Sequence, residues 1–162
     1  MIGRSIGRFR ITAPLGQGGM ASVWRARDEL LDRELAIKVL DEKLAQIEDS
    51  RRRFRHEATI ASQLDHPGIA AVYDSGETDG ATWIAMALIE GQTLSERLRE
   101  SLVPVREVVN VAIEVADALG YAHDHGVVHR DVTSRNVMLA RDGRAFVLDF
   151  GLALAQVASV RT

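Results

Sequence analysis

HRDVTSRN, residues 129–136, is a polar stretch that separates two apolar runs of the chain. It places the carboxyl group of Asp131 and the amide group of Asn136 in one short loop. A carboxylate can accept a proton from a reacting hydroxyl, and an amide oxygen can bind a hard cation. The stretch therefore predicts a catalytic loop, although the same residue types are also typical of a simple surface turn.

A second acidic motif follows shortly afterwards. LDFG, residues 148–151, puts Asp149 at the end of a short apolar run and before a glycine. By itself an Asp-Phe-Gly sequence is equally typical of a turn. Together, however, Asp131, Asn136 and Asp149 supply one base and two oxygen ligands of the kind that Mg²⁺ prefers.

Lys38 is the least ordinary cation of the sequence. The chain has 20 basic residues, and only Lys38 and Lys43 among them are lysines. Lys43 lies in a polar run and is expected to be solvated. Lys38 lies inside LAIKVL, residues 35–40, a predicted buried strand in which an unpaired ammonium group would be costly.

Glu57 is the expected partner of Lys38. It lies in register with Ala61 and Leu64 on a predicted helix, so its side chain is expected to face the sheet. Taken singly, Lys38 fits an edge-strand lysine whose ammonium group reaches water, and Glu57 fits a solvated helical residue. Taken together, they predict an ion pair that presents a cation to an anionic ligand.

LGQGGMASV, residues 15–23, is a glycine-rich stretch between two predicted strands. It is typical of a plain hairpin. It is also typical of a flap whose backbone N–H groups approach phosphate groups closely, because glycine has no Cβ. Gly16, Gly18 and Val23 fit the pattern G-x-G-x-x-G-x-V, with Ala21 in place of the third glycine.

The hydrophobic pattern predicts five strands with one inserted helix, followed by helices and a small hairpin. The strands are expected at residues 8–15, 21–27, 34–40, 69–75 and 82–88, with the turn ETDG before the last of them. The helices are expected at 49–64, 93–99 and 105–123, and the closing hairpin at 137–140 and 145–148. This order favours a segregated α+β fold over a repeating βαβ pattern.

Local signals define the expected helix ends. Asp49 or Ser50 is expected to cap the first helix, and Pro104 and Gly126 are expected to bound the last one. The inward side of this last helix is expected to consist of Val108, Val111 or Ala112, Val115, Leu119 and Ala122.

Composition excludes several classes of protein. The 162 residues are 46% hydrophobic and 27% charged, which is typical of a globular chain. The net charge of −3 argues against nucleic acid or an anionic membrane as the main partner. Cysteine is absent, so neither a disulfide framework nor a thiolate metal site can form, and a cytoplasmic location is expected. No signal peptide or membrane span is predicted.

The order and spacing of these motifs carry more information than any one of them. A glycine loop, a strand lysine, a helix glutamate, H-R-D-x-x-x-x-N and D-F-G form the protein-kinase signature set. The chain resembles eukaryotic-like (Hanks-type) protein kinases, most closely the bacterial serine/threonine group. The resemblance implies a five-stranded antiparallel N-lobe sheet with helix C in residues 1–90. It also implies the first part of a helical C-lobe in residues 91–162.

The resemblance implies a protein serine/threonine kinase that uses ATP with Mg²⁺, or with Mn²⁺ in its place. Lys38, held by Glu57, would contact the phosphates, Asp131 would accept the substrate proton, and Asn136 and Asp149 would hold the metal. The remaining nucleotide contacts are expected from Leu15, Gly16, Gly18, Gly19, Val23, Ala36, Met86, Leu88, Glu90 and Met138, with Met86 as gatekeeper and residues 87–89 as hinge.

Two features depart from the family pattern. Thr133 occupies the position where serine/threonine kinases usually carry a catalytic lysine, and Ser134 replaces the usual proline. Arg135 stands four residues after Asp131, as in tyrosine kinases, and we expect it to supply the missing cation to the transferring phosphoryl group. The tyrosine-like loop leaves dual or tyrosine specificity open as an alternative.

The second departure is the end of the sequence, eleven residues after Gly151. The family's A-P-E segment and later helices lie beyond this point, so we expect little or no kinase activity from residues 1–162 alone. The long helix and the tail LALAQVASV are expected to expose apolar residues. The alternative function is a non-catalytic nucleotide-binding or pseudokinase-like module that pairs with another kinase chain.

Overall fold

The computed structural model describes residues 1–150. Its first sheet is antiparallel and has six strands. They are β1 (Ser5–Ile6), β2 (Phe9–Gln17), β3 (Ala21–Asp28), β4 (Arg33–Leu40), β5 (Val72–Thr78) and β6 (Ala81–Met86), in the spatial order β1-β2-β3-β4-β6-β5. The five predicted strands correspond to β2 to β6, and the short β1 pairs with β2 as a sixth. The α+β class is therefore confirmed.

The turn predicted between β5 and β6 is confirmed. Asp79 and Gly80 have positive φ angles of 52° and 78°. Two such residues in succession form the two-residue turn that matches the twist of a hairpin. The predicted start of β5 at Ile69 is wrong, because Ile69 instead forms an isolated parallel bridge with Val147.

Two helices follow β4. The short α1 (Glu42–Ala45) was not predicted, and the side chain of Asp41 caps it by accepting the Lys43 N–H. α2 (Glu48–Ser62) begins one residue before the expected caps Asp49 and Ser50, so that prediction is wrong. Asp49 lies in the first turn and forms ion pairs with arginines one turn further along the helix, Arg52 and Arg53.

Successive side chains of β4 point to opposite faces of the sheet, and each face packs into a different apolar cluster. One face packs Leu35, Ile37 and Val39 with residues of the neighbouring strands, including Phe9, Ala26 and Trp83. The other face packs Leu40 with Phe54 and Ala58 of α2, and with Ala21, Ala45 and Ile84. The second face is the one on which Lys38 lies.

Asp28, at the end of β3, is a fully buried carboxylate that sequence analysis did not single out. Burial by itself raises the pKa of Asp28, but the N–H groups of Leu31 and Leu30 and the side chain of Arg8 outweigh it and lower the pKa below its ordinary value. The carboxylate thereby closes the turn into β4.

The second sheet has three strands, in the order β7-β8-β9. It consists of β7 (Gly91–Thr93), β8 (Val137–Ala140) and β9 (Ala145–Val147), and two helices separate β7 from β8, α3 (Leu94–Glu100) and α4 (Val105–Asp124). β7 was not predicted. Gly91 is required there, because a Cβ at this position would overlap the carbonyl oxygen of Leu139 on β8.

α4 begins at Val105 as expected and ends at Asp124, one residue later than predicted, with Pro104 before it and Gly126 (φ 74°) just past its end. Its buried residues are Val111, Ala118 and Ala122. The inward placement of Val108 is wrong, because its side chain is half-exposed one turn before the core begins. Exposed apolar residues on α4 were expected, and they are Val105, Val108, Val109 and Ile113.

The chain forms two compact units. The first comprises Met1–Thr59 and Val72–Leu88, and the second comprises Ile60–Ala71 and Ile89–Thr162. The division of function between residues 1–90 and 91–162 stays a prediction. Within residues 1–150, no helix is both long and apolar enough to cross a bilayer. Gly151 and the tail LALAQVASV lie outside the described residues.

Candidate active site

Lys38 forms the predicted ion pair with Glu57. The Lys38 Nζ atom lies 2.8 Å from Glu57 Oε1, and both side chains are more than nine-tenths buried. α2 places Glu57 beside Phe54 and Ala58, which pack against the sheet, so the glutamate necessarily faces β4. The alternatives of a snorkelling lysine and a solvated glutamate are therefore wrong.

This pair is a costly feature for a fold to keep. Removing two charges from water carries a large desolvation penalty, which their mutual attraction offsets only with short, well-directed contacts. Replacing a buried ion pair by apolar residues of similar size is often neutral or stabilising. A buried cation on the strand next to the glycine-rich hairpin is therefore better explained by ligand binding than by stability.

Residues near Lys38 on the same sheet face provide a small apolar surface. Val23 lies directly opposite Lys38 on β3, and Ala36 lies directly opposite Met86 on β6. Directly opposite residues point to the same side of an antiparallel sheet. Leu88, which follows β6, is half-buried. The first unit thus places Val23, Ala36 and Met86, three of the predicted nucleotide contacts, on the sheet face of Lys38.

The glycine-rich stretch forms the tip of the β2–β3 hairpin. Gly16 pairs with Val23, and the Gly18 N–H donates to the carbonyl oxygen of Ala21 at 2.9 Å. None of Gly16, Gly18 and Gly19 has a positive φ. A Cβ on Gly16 or Gly19 would meet no atom within 4 Å among the residues described. The hairpin itself does not need these glycines, which supports the alternative that they leave room for a ligand.

Leu15 lies at the same hairpin, on the β2 side, and its side chain is exposed. Its predicted contact with the nucleotide stays a prediction.

His129 links the two acidic motifs of the second unit. Its Nε2 atom lies 2.7 Å from the carbonyl oxygen of Leu148, and Nδ1 lies 3.2 Å from the backbone nitrogen of Asp131. Because the carbonyl can only accept and the N–H can only donate, the ring proton is on Nε2. The ring is 1% exposed, and Phe150 packs edge-on against it at 4.7 Å.

Asn136 and Asp131 contact each other directly. Asn136 Nδ2 donates to the backbone oxygen of Asp131 at 2.9 Å and to its carboxylate Oδ2 at 3.0 Å. Both bonds use the nitrogen, so the amide oxygen Oδ1 is oriented away from Asp131 and can act as a metal ligand. The Leu148 N–H donates to the carbonyl oxygen of Asn136 at 2.9 Å, which ties the predicted catalytic loop to the residue before Asp149.

Two site residues have strained backbones. Arg130 and Asp149 have φ angles of 66° and 58°, in the left-handed region that residues with a Cβ rarely adopt. Such conformations persist where surrounding contacts impose them, and they are concentrated at functional sites. In this chain they directly follow His129 and Leu148, the two residues that the 2.7 Å hydrogen bond joins.

Arg135 is exposed, and the loop around it is held by backbone bonds. The Asn136 N–H donates to Thr133 at 3.0 Å, and the Ser95 N–H of α3 donates to Ser134 at 2.9 Å. These two bonds hold the loop with Ser134 in place of the family's usual proline. The proposed cationic role of Arg135 stays a prediction.

Met138 and Glu90 complete the predicted set. Met138 lies on β8, between Thr93 of β7 and Phe146 of β9, and is half-buried. The Glu90 carboxylate lies 3.4 Å from Arg141 Nη1. A ribose hydroxyl would therefore compete with an arginine for Glu90, and this contact stays a prediction.

Comparison with known proteins identifies the family of this chain. Residues 9–161 match the protein kinase domain. The chain belongs to the protein kinase family. Among curated relatives, the chain is 42% identical to serine/threonine-protein kinase PrkC of Bacillus subtilis over 158 residues. It is 43% identical to serine/threonine-protein kinase PknJ of Mycobacterium tuberculosis over 151 residues.

A solved structure shows the same relationship. The PknI kinase domain of Mycobacterium tuberculosis superimposes with a TM-score of 0.81 at 36% identity, covering 94% of this chain and 63% of that one. The predicted membership of the bacterial serine/threonine kinase group is confirmed. The chain spans about a quarter of the length of its curated relatives, 24% of PrkC and 26% of PknJ.

The residues present fit the divalent metal that the family uses. Asn136 offers an amide oxygen and Asp149 a carboxylate, both hard ligands that suit Mg²⁺ or Mn²⁺. Within residues 1–150 no cluster of three acidic, histidine or cysteine residues could hold a metal without help. Mg²⁺ commonly completes its octahedron with phosphate oxygens and water, so two protein ligands suffice.

The Lys38–Glu57 pair can be tested by a double-mutant cycle. Lys38→Met or Glu57→Leu alone leaves a buried charge and should lower the free energy of unfolding by about 3–5 kcal/mol. The double variant should lose far less than the sum of the two single variants. Chemical denaturation measures all four proteins.

The exposed pair Arg10–Glu29 is the matched control, and the same cycle there should give a coupling of roughly 0–1 kcal/mol. If the effects at Lys38 and Glu57 were additive, the two side chains would not form a buried pair.

Proposed function

We propose that this chain contributes the nucleotide-binding and catalytic residues of a protein serine/threonine kinase, which transfers the γ-phosphoryl group of ATP to a protein hydroxyl. The buried Lys38–Glu57 ion pair is the observation that carries the proposal. It presents a fixed cation that stability does not require, on the sheet face that also carries Val23 and Ala36.

The first unit binds the nucleotide. The Lys38 ammonium group donates to the α- and β-phosphates, and Glu57 keeps it in place. The backbone of residues 16–19 approaches the phosphates from the hairpin tip, together with Leu15, and Gly16 and Gly19 leave room for them because they have no Cβ. Val23, Ala36, Met86 and Leu88 contact the adenine, for which an apolar surface with a few backbone hydrogen-bonding groups is sufficient.

The second unit performs the transfer. The substrate hydroxyl oxygen bonds to the γ-phosphorus as its proton passes to Asp131, and ADP leaves. Asn136 orients the Asp131 carboxylate through the 3.0 Å hydrogen bond. Asn136 and Asp149 would hold Mg²⁺, which neutralises phosphate charge when bound. Met138 and Glu90 contact the adenine and the ribose.

Arg135 supplies the second cation of the transfer. The position of the family's lysine is Thr133, whose side chain carries no charge, while Arg135 is exposed in the same loop. A guanidinium group directed at the phosphoryl oxygens stabilises the charge that they carry in the transition state. The hydroxyl acceptor is proposed to be serine or threonine, in agreement with the names of the relatives.

A second candidate function is supported by the exposed apolar residues of α4. Val105 is 79% exposed and Ile113 is 61% exposed, and rows of this kind are typical of a surface that another protein covers. A non-catalytic module that binds nucleotide and pairs with another kinase chain would use them. We propose a cytoplasmic location in either case.

Nucleotide binding is tested by thermal shift with Mg-ATP. The chain should be stabilised by about 2.7 kcal/mol at a ligand concentration of 100 times Kd. Lys38→Met should abolish the shift measured against its own ligand-free Tm, whereas Lys43→Met, the only other lysine and an exposed one, should not. Asp149→Asn should remove the Mg²⁺-dependent part alone. No shift in the wild-type chain would refute the proposal.

The role of Arg135 is tested by phosphoryl transfer, in the form of the protein that phosphorylates a substrate. Arg135→Ala should lower kcat on the order of a hundredfold, because it removes one transition-state cation. Adding Thr133→Lys should restore much of the rate. Arg106→Ala, which removes an exposed arginine of α4, is the control. Near-normal kcat in Arg135→Ala would show that Arg135 is not catalytic.

A further inference from the structure

β9 is the strand that leads into Asp149. On its outer edge, the side that faces away from β8, its backbone N–H groups donate to two different acceptors. In the β8–β9 hairpin, Leu148 donates to Asn136, and Ala140 donates to Arg144. Because hydrogen-bonded pairs alternate along an antiparallel ladder, the N–H groups of Ala145 and Val147 point away from β8.

Both outward N–H groups have a partner. Val147 donates to the carbonyl oxygen of Gly68 at 2.8 Å. Ala145 donates to the Glu114 carboxylate of α4, with Oε2 at 2.5 Å. Ala145 is 3% exposed, so water does not readily replace this acceptor. Glu114 is thus the one side chain that satisfies the outer edge of β9 within the described residues.

The position of β9 also affects the two proposed metal ligands, Asn136 and Asp149. Asn136 directly precedes β8 and Asp149 lies two residues after β9, so both ligands stand at the open end of one hairpin. Their separation is set by the β8–β9 register and by the Leu148–Asn136 hydrogen bond. An acceptor that holds β9 against α4 therefore also helps to hold Asp149 opposite Asn136.

We propose that Glu114 is a positioning residue for the metal site, acting through β9 on Asp149. This inference rests on the proposed function of Asn136 and Asp149 as metal ligands. A charge-assisted bond to a backbone N–H is short and strong, and it leaves the strand little freedom to shift. Residues that orient metal ligands from outside the coordination sphere commonly change metal affinity about 10–100-fold when removed.

Three variants separate this role from general stability. Glu114→Ala removes the acceptor, and Glu114→Gln keeps an acceptor oxygen without the charge. Glu107→Ala makes the same truncation on the same helix, but it breaks an ion pair with Arg97 (3.0 Å) and does not touch β9. Glu107→Ala therefore controls for the loss of a helix glutamate.

The first measurement is amide hydrogen exchange in the ligand-free chain, and it does not depend on nucleotide binding. Glu114→Ala should speed exchange at Ala145 and Leu148 about tenfold or more relative to wild type. Glu114→Gln should restore most of the protection, and Glu107→Ala should leave both amides unchanged. Unchanged exchange at Leu148 in Glu114→Ala would overturn the proposal.

The second measurement is the Kd of Mn²⁺-ATP, compared with that of ATP in the presence of a chelator. Glu114→Ala should weaken Mn²⁺-ATP binding about tenfold and leave metal-free ATP binding unaltered. Equal weakening of both, or the same effect in Glu107→Ala, would overturn the proposal. A wild-type chain without Mn²⁺-ATP binding would instead refute the proposed function, and the exchange rates would still decide whether Glu114 holds β9.

Discussion

The buried hydrogen bond between His129 and the carbonyl oxygen of Leu148 is the constraint on which the second unit depends. One ring nitrogen donates to Leu148 at 2.7 Å, and the other accepts from Asp131 at 3.2 Å. A single side chain thereby joins the loop of Asp131, the proposed base, to the end of the strand that leads to Asp149, a proposed metal ligand. Phe150 covers the ring, so water has little access to these bonds.

The two strained residues of the site follow from this link. Arg130 comes directly after His129, and Asp149 directly after Leu148, and both have left-handed φ angles. A non-glycine residue pays roughly 1–2 kcal/mol for such a conformation, so fixed neighbours must impose it. The hydrogen bonds of His129 and the Leu148–Asn136 bond supply those neighbours, and they hold the backbone around Asp131 and Asp149 in place.

Sequence reasoning predicted what depends on periodicity and burial. The Lys38–Glu57 pair was predictable because Lys38 lies in an apolar strand and Glu57 lies beside a helical apolar stripe. Each charged side chain is therefore directed into the space between the helix and the sheet. The β5–β6 turn was predictable from Asp79 and Gly80. The role of Glu114 was not predictable, because its partner is a backbone N–H whose direction depends on the hairpin register. Val108 was misplaced because a helical stripe does not show where the core beneath it begins.

His129 holds the predicted catalytic loop and the strand before Asp149 in one fixed arrangement. ¹⁵N NMR of the ring nitrogens tests it directly, with the His129 signals assigned by their loss in His129→Asn. The structure predicts a proton on Nε2, a bare Nδ1 and no averaging between the two, in contrast to the exposed His123. A proton on Nδ1, or two averaged nitrogen signals, would contradict the claim.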